Sequence, residues 1–412
     1  MSDRVHDVVV VGSGPAGTAA SITLADRGLD VVAIDRAEFP RDKTCGDGLT
    51  TLALRELDSL GLCPSRIDSW IEVERAHLHS PRGRTVSLPL PNGSGQFAAV
   101  ARRAELDAAL VELARDRYVE LRHGTSLTAA RMHREGVEVH IGQGAPLRAR
   151  WVIGADGAWS PLRKALGLAE HRYRGEWHAF RQYFRHTGAN ARELHVWFEP
   201  DLLPGYAWSF PLPDGRANVG FGVLRGSRLD GGALARLWPE LLERPAIRDV
   251  LGSRAVADGP HRAWPIPARV TRTHLAVGRA LFVGDAARAA DVFTGEGIGQ
   301  ALLTGRLAAE TIADDPLGDP DLVPARYSRA VHHDLDPDHH MAATLSWLVS
   351  SSPVADASIA LVGLNHWTRR NVARWLFEDS PRGIALTPRR WRKGALSGPP
   401  AFTARRPNPT AG

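Results

Sequence analysis

Cysteine is nearly absent from this chain: among 412 residues only Cys45 and Cys63 occur. Two thiols cannot build a disulfide scaffold, and so low a content fits a reducing compartment. Lysine is almost as scarce, because of 51 basic residues only Lys43, Lys164 and Lys393 are lysine. The rest of the positive charge is arginine. It is spread along the chain rather than gathered into one stripe, which argues against a nucleic-acid role, and it thickens only in the C-terminal quarter. No run of 18 apolar residues occurs, so no helix is expected to span a bilayer. The first apolar segment begins almost at once with no leader before it, so a cytoplasmic protein is expected. Hydrophobic residues, at 43%, are ample for a large core. The length suits two or three domains or one interleaved unit.

What the chain does have is concentrated in its first forty residues. Asp7-Val8-Val9-Val10-Val11 reads as a buried strand. Gly12-Ser13-Gly14-Pro15-Ala16-Gly17 reads as a G-x-G-x-x-G turn opening a helix, and Val31-Val32-Ala33-Ile34 as a second strand ending in Asp35. Gly12 permits the tight turn, Gly14 lets the backbone approach a pyrophosphate, and Gly17 lets the helix pack on the strand. The helix N-terminus, with Ala16 in its first turn, offers free N–H groups and a partial positive charge to phosphates. Asp35, with Arg36 beside it, stands about 20 residues past the glycines, where an adenosine ribose is bound.

Further along, residues 101–117 read as an amphipathic helix with Leu106, Leu110 and Leu113 at helical spacing. Residues 118–153 read as short strands that run into Asp156-Gly157. Residues 178–225 carry strand-like runs, two of them joined by a hairpin signal at Pro213-Asp214-Gly215. A short strand at 280–283 runs into Gly284-Asp285, and a helix is expected from about Gly297 to Ile312. Residues 325–378 are helical in pattern, and the stretch from Ser397 on is expected to be disordered. An acid at a strand end binds a ribose or ribitol hydroxyl. The glycine-rich start Gly295-Glu296-Gly297-Ile298 offers N–H groups to a phosphate or to the oxygen end of a flavin ring. Each later segment alone is also compatible with an ordinary turn. In this order, after the first turn, the three point to FAD rather than NAD.

Three motifs carry a resemblance to a known group. They are the loop Pro40-Arg41-Asp42-Lys43-Thr44-Cys45-Gly46-Asp47-Gly48-Leu49; the run Tyr206-x-Trp208-x-Phe210-Pro211 followed by Gly220-x-Gly222; and Gly284-Asp285 through Gly299. On these the chain resembles the geranylgeranyl reductase family of FAD-dependent oxidoreductases, with a p-hydroxybenzoate hydroxylase-type fold and glutathione-reductase-type FAD binding. The resemblance runs from residue 7 to about 395. It departs at Asp291-Val292-Phe293, where many relatives place Asp-Pro, in the loop expected beneath the flavin.

The resemblance implies an α/β fold, α+β overall. A Rossmann-like FAD-binding domain (1–75, 101–165 and 263–320) is interleaved with a β-sheet substrate domain (76–100 and 166–262). A C-terminal helical region (321–396) and a tail (397–412) follow. It implies saturation of isolated C=C bonds in prenyl chains by hydride from reduced FAD. It implies that the Cys45-Gly46 loop approaches the flavin and that an arginine at the helix start near Arg102 and Arg103 contacts the FAD phosphates. Arg103 fits the R-x-x-x-D spacing with Asp107 better. Cys45 is then either a proton donor or relay, or a small buried thiol that shapes the cavity. Cys63 reads as core filler. Tyr206, Trp208 and Phe210 share one strand face, a wall for a hydrophobic substrate or a sheet face packed on its neighbour, with Pro211 expected to end the run.

Other readings stay open at this point. A flavin monooxygenase acting on a secondary metabolite such as an aromatic polyketide needs the same FAD residues. A non-catalytic flavoprotein carrying electrons or lipid is a further alternative. A flavin halogenase needs a W-x-W-x-I-P motif and a substrate-side lysine that this chain does not offer. No separate nicotinamide site is visible, so the reductant is expected to be NAD(P)H docking transiently or a ferredoxin as electron-donor partner. His332-His333 and His339-His340 resemble a metal cluster, but Pro337 is expected to break the helix there into a solvated turn, and no metal is expected. The arginines and tryptophans from Trp367 to Lys393 suit either a folded cap or peripheral contact with the inner surface of an anionic membrane.

Overall fold

The computed structural model describes residues 4–91, 95–142, 144–226, 231–378, 383 and 400–403. The valine-rich strand Val5–Val11 is central to an eight-stranded sheet. It pairs in parallel with Val31–Ile34 (Val10 opposite Ala33) and with Leu147–Gly154 (Val10 opposite Ile153). Glu120–Arg122 and Ala280–Phe282 extend the parallel block on either side. Val8, Val9, Val10, Ile34, Val152 and Ile153 are fully buried. Burial on both faces is why these strands read as unbroken apolar runs. Because the strands are parallel, Gly12, Asp35, Asp156 and Gly284 all follow strand ends along a single edge of the sheet.

Two helices, Pro15–Asp26 and Ile298–Ala313, pack closely above that edge. The approach depends on glycine. A Cβ at Gly305 would lie 2.2 Å from the carbonyl oxygen of Ala16, and where the first helix leaves the glycine turn a Cβ at Gly17 would lie 1.8 Å from the carbonyl oxygen of Gly12. The helix expected over 101–117 is Arg103–Asp116, with Leu106, Leu110 and Leu113 buried.

The second eight-stranded sheet is built from strands between residues 75 and 89 and between 177 and 266. Its centre is the hairpin Tyr206–Leu212 and Arg216–Leu224, turned by Asp214 and Gly215, both at positive φ as the turn signal required. Alternation sorts its two faces. Ala207, Phe221 and Val223 pack on the helix Gly231–Leu242 through Leu234, Trp238 and Leu241, while Tyr206, Trp208 and Phe210 face the first sheet.

Several expectations change. Pro211 does not end its strand. It remains in register with Ala217 but lies past the last residue paired with the neighbouring strand Leu194–Trp197, where the missing N–H costs no ladder bond on that side. The boundary expected at 262/263 falls inside the strand Arg262–Ile266, which belongs to the second sheet. Pro337 does not break its helix, which runs Leu322–Leu348. Val323, Tyr327, Val331 and Leu335 form one buried stripe, and that packing outweighs the roughly 3 kcal/mol cost of an internal proline. Of the tail expected to be disordered, Pro400–Thr403 lie among the described residues, and there Ala401 is buried and bridges Gln96.

Gly305→Ala is expected to destabilise the fold by the 1–3 kcal/mol or so typical of overpacking, read as a lower urea midpoint at unchanged slope. An unchanged midpoint would show that the two helices have room to separate.

Candidate active site

A cavity of about 880 Å³ lies between the glycine-bearing edge of the first sheet and the inner face of the second. It brings together almost every residue singled out in the sequence. One end is lined by Gly12, Gly14, Ala16, Asp35 and Arg36, with Asp156, Gly157, Gly284 and Asp285 beside them. Cys45, Gly46, Arg103, Gly295, Gly297 and Ile298 line the middle, and Tyr206, Trp208, Phe210 and Gly222 the far wall. Gly17 and Gly220 do not line it. Gly17 serves helix packing, as its place in the fingerprint requires. Gly220 seats the indole of Trp208, to which a Cβ there would come within 2.4 Å.

The nucleotide end fits a dinucleotide. The Asp35 carboxylate accepts from Ser13 N (2.8 Å) and Ala37 N (2.8 Å), tying the glycine turn to the second strand. A Cβ at Gly14 would meet only the Arg41 guanidinium, at 3.4 Å, so the space it leaves faces the cavity rather than the protein. Arg41 is the cation the sequence reading missed. It lies over the Phe39 ring and 3.4 Å from Asp107. Arg103 is buried, gripped by Asp107 through two bonds (2.9 and 3.0 Å), and close enough to Cys45 to share a hydrogen bond. Asp156 accepts from Leu162 N (2.7 Å) through one oxygen, and its other oxygen is buried without a partner. Burial pushes its pKa up to about 6. A carboxyl group that lines the cavity and keeps one oxygen without a protein partner suits a sugar or ribitol hydroxyl.

The loop bearing Cys45 is clamped from three directions. Arg181 donates to Asp42 (2.7 Å) and to the carbonyl of Lys43 (3.2 Å). Asn218 donates to the carbonyl of Cys45 (2.8 Å) and to Asp47 (2.7 Å). Tyr183 Oη (2.8 Å) and Arg103 N (3.1 Å) also donate to Asp47. Asp47 is fully buried at positive φ, and its backbone N–H donates to Cys45 Sγ (3.3 Å). Trp208 Nε1 donates to Asn218 Oδ1 (3.1 Å), so the aromatic wall and the loop share one network. Rings of Trp208 and Phe210 stand 6.1 Å apart, and those of Tyr206 and Trp208 6.0 Å, with Gly46 and Gly48 lying against them.

The departure at Asp291-Val292-Phe293 has its own solution. Asp291 Oδ1 accepts from Phe293 N (3.0 Å), Thr294 N (2.7 Å) and Thr294 Oγ1 (2.8 Å), a side-chain-organised turn that needs no proline. Tyr206 Oη donates to the carbonyl of Thr294 and joins this loop to the wall. Behind it stands Glu296, whose Oε1 accepts from Ile298 N (2.8 Å) and Gly299 N (3.2 Å). Burial and the nearby charge of Glu378 push its pKa up to about 8, against those two N–H donors and Arg103. Glu378 itself is held by Thr50 Oγ1 (2.7 Å) and Gln300 Nε2 (2.9 Å).

Residues 5–309 match the family model described as an FAD binding domain. The chain is 33% identical to a menaquinone reductase of Mycobacterium tuberculosis over 95% of this chain and 96% of that one. It is 33% identical to digeranylgeranylglycerophospholipid reductase 1 of Methanopyrus kandleri over 75% of this chain and 80% of that one. Its fold matches a geranylgeranyl bacteriochlorophyll reductase-like protein of Thermoplasma acidophilum with a TM-score of 0.79 at 21% identity, covering 94% and 99% of the two chains. The chain belongs to the geranylgeranyl reductase family of FAD-dependent oxidoreductases.

His332, His333, His339 and His340 lie along the helix Leu322–Leu348, outside the lining of the cavity. Among the described residues no group of His, Cys, Asp or Glu is arranged to hold a metal. His332 pairs with Asp336 (3.0 Å) and His333 with Asp334 (2.8 Å) along one helix. Cys63 is exposed rather than core, its Sγ 2.9 Å from Ser65 Oγ.

Gly14→Val is expected to purify without FAD, since the added side chain occupies the phosphate space, while its far-UV circular dichroism stays that of the native fold. A yellow, stoichiometrically loaded variant would remove the nucleotide from this end of the cavity.

Proposed function

We propose that the protein saturates isolated C=C bonds of a prenyl chain. The observation that carries this reading is an aromatic wall of Tyr206, Trp208 and Phe210 that lines one cavity with the Cys45 thiol and the Glu296 carboxyl group. The names of the menaquinone and digeranylgeranylglycerophospholipid reductases support it. FAD, once reduced, supplies a hydride. Gly12, Gly14 and the helix start at Pro15, Asp35, Asp156 and Gly297-Ile298 would hold it.

The rest of the chemistry falls to the chain's own residues. An isolated double bond has no carbonyl to polarise, so catalysis rests on orientation, exclusion of water and a placed proton. Tyr206, Trp208 and Phe210 orient an apolar chain and keep water away. Cys45 Sγ is one proton source. Burial holds its thiol above the usual range, and the Arg103 guanidinium only partly offsets this. Glu296 is the second, since Oε1 faces the helix N–H groups and leaves Oε2 to carry the proton. One dinucleotide fingerprint serves FAD, so the reductant is proposed to dock transiently, as NAD(P)H or a ferredoxin.

The deciding experiment is anaerobic. The protein is reduced with dithionite and given geranylgeranyl diphosphate, or a menaquinone with an unsaturated side chain, and product mass is followed. A gain of two hydrogens for each double bond reduced, with flavin reoxidised, supports the reading. No product without air, followed by an added oxygen atom once air is admitted, would replace it with a monooxygenase.

The two acids separate by pH. Product formation by the wild type is expected to fall as pH rises through about 8, where Glu296 loses its proton. Glu296→Gln is expected to lose that limb and to turn over more slowly by about 10²–10⁴, the usual worth of a general acid. Because the folded protein keeps a proton that the unfolded chain releases near pH 4.5, Glu296 costs stability as pH rises between about 4.5 and 8, and Glu296→Gln flattens that slope. Cys45→Ala is expected to retain FAD yet form product more slowly. Unchanged turnover would leave Cys45 a shaping residue.

A further inference from the structure

The C-terminal helices carry a surface that the active site does not use. Between Met341 and Thr368 the only acidic or basic side chain other than histidine is Asp356, and it accepts from Ser80 Oγ (2.5 Å). In the same stretch Trp347 is 74% exposed, Leu361 61%, Leu364 67% and Trp367 73%, with Leu348 and Val354 exposed beside them. These six are nearly half of the large hydrophobic residues exposed among the described residues, and they fall within about twenty consecutive positions. Scattered exposed leucines need no explanation, whereas a concentration of this kind marks an interaction surface.

The arrangement is that of a surface lying in an interface. The helix Leu322–Leu348 and the helix Ser352–Val362 meet at a bend of 116°, and among the described residues no single helix is long and apolar enough to cross a membrane. Ser352–Val362 buries Ala355 and Ile359 while turning Val354 and Leu361 outward. The next helix, His366–Leu376, carries Trp367 in its first turn and Arg370, exposed, three residues further on. In the sequence positive charge follows directly, and Arg369, Arg370 and Arg374 of it lie among the described residues. Residues 366–393 contain eight Arg and Lys against two acids, more than the whole chain's net charge of +5, so the remainder of the chain is close to neutral. Tryptophan at an apolar surface flanked by arginine is the pattern that seats a protein on anionic lipid headgroups.

We propose that the surface formed by Trp347, Leu348, Val354, Leu361, Leu364 and Trp367 docks on an anionic lipid bilayer. The inner side of the same helices closes the apolar end of the cavity. Leu376 and Phe377 line it, and Leu345 and Trp375 pack with Phe293 just behind. Docking therefore sets the cavity's apolar end against the layer in which a long hydrocarbon chain resides. The surface and its charge stand on their own, and the proposed reaction enters only through this shared wall.

The test uses the full FAD-loaded protein and vesicles of phosphatidylcholine with and without phosphatidylglycerol. Wild type is expected to co-sediment with the anionic vesicles, less so as salt is raised, and its tryptophan emission to be quenched by brominated acyl chains. The double variant W347S/W367S is expected to bind at least tenfold more weakly. Its flavin content and its turnover of a detergent-dispersed substrate are expected to stay those of wild type, since neither tryptophan lines the cavity. Absence of wild-type binding to anionic vesicles, or equal binding by the double variant, overturns the proposal. So does a dimer in sedimentation that the double variant dissociates, which assigns the surface to a second copy of the chain. A failure of the anaerobic assay with vesicle binding intact would strike the reaction and leave the surface standing.

Discussion

The active site depends on one buried carboxylate. Asp47 sits at positive φ with no exposure, and its two oxygens take donors from three places: the helix start at Arg103, Tyr183 and Asn218 of the second sheet. A carboxylate moved out of water without partners costs several kcal/mol, so this geometry holds only when both halves of the molecule are in position. Burial pushes the Asp47 pKa up, while Asn218, Tyr183, Arg181 and the Arg103 N–H pull it back down. What the contact secures is the Cys45 loop, pinned between the dinucleotide edge and the aromatic wall.

The two sheets divide the labour in a way that follows from their hydrogen-bonding patterns. The parallel block of the first sheet places its strand ends, and the glycines after them, along a single edge. The antiparallel strands at the centre of the second sheet offer a face where every second residue is free to be chosen for a ligand. Tyr206, Trp208 and Phe210 occupy one such set, and Ala207 and Ser209 between them are buried on the other side. The loop from Asp291 to Glu296 then bridges the two, bonded to the wall through Tyr206 and to the helix start through Glu296.

Much of this was legible in the sequence because it is local. A strand, a glycine turn and an acid lie within forty residues. The hairpin at Asp214-Gly215 and the helix after Arg103 are announced by turn chemistry and apolar spacing. What escaped is what long-range contacts decide. Asp47 lay inside a recognised motif, but its partners Tyr183 and Asn218 are 136 and 171 residues away. Glu296 reads as one letter of a glycine-rich turn until Glu378 is brought beside it. Arg41 passed as one letter of the loop motif, because only the fold brings it beside Gly14 and within 3.4 Å of Asp107. Pro211 and Pro337 misled for the opposite reason. A local rule about proline was applied where an unpaired strand edge in one case and a buried stripe in the other removed its cost.

The cavity's walls come from points scattered over the chain, from Gly12 in the first turn to Phe377 at the close of the last described helix. Central strands pair across long intervals, Val10 with Ile153 and Gly154 with Phe282. Such non-local closure makes for slow folding, since loop entropy is spent before the contacts that repay it exist. A nascent chain released from the ribosome only as far as the first βαβ unit owns a perfect fingerprint and no pocket. The cofactor can therefore enter only a nearly finished molecule, where its binding energy adds to the stability of the whole rather than guiding its early steps.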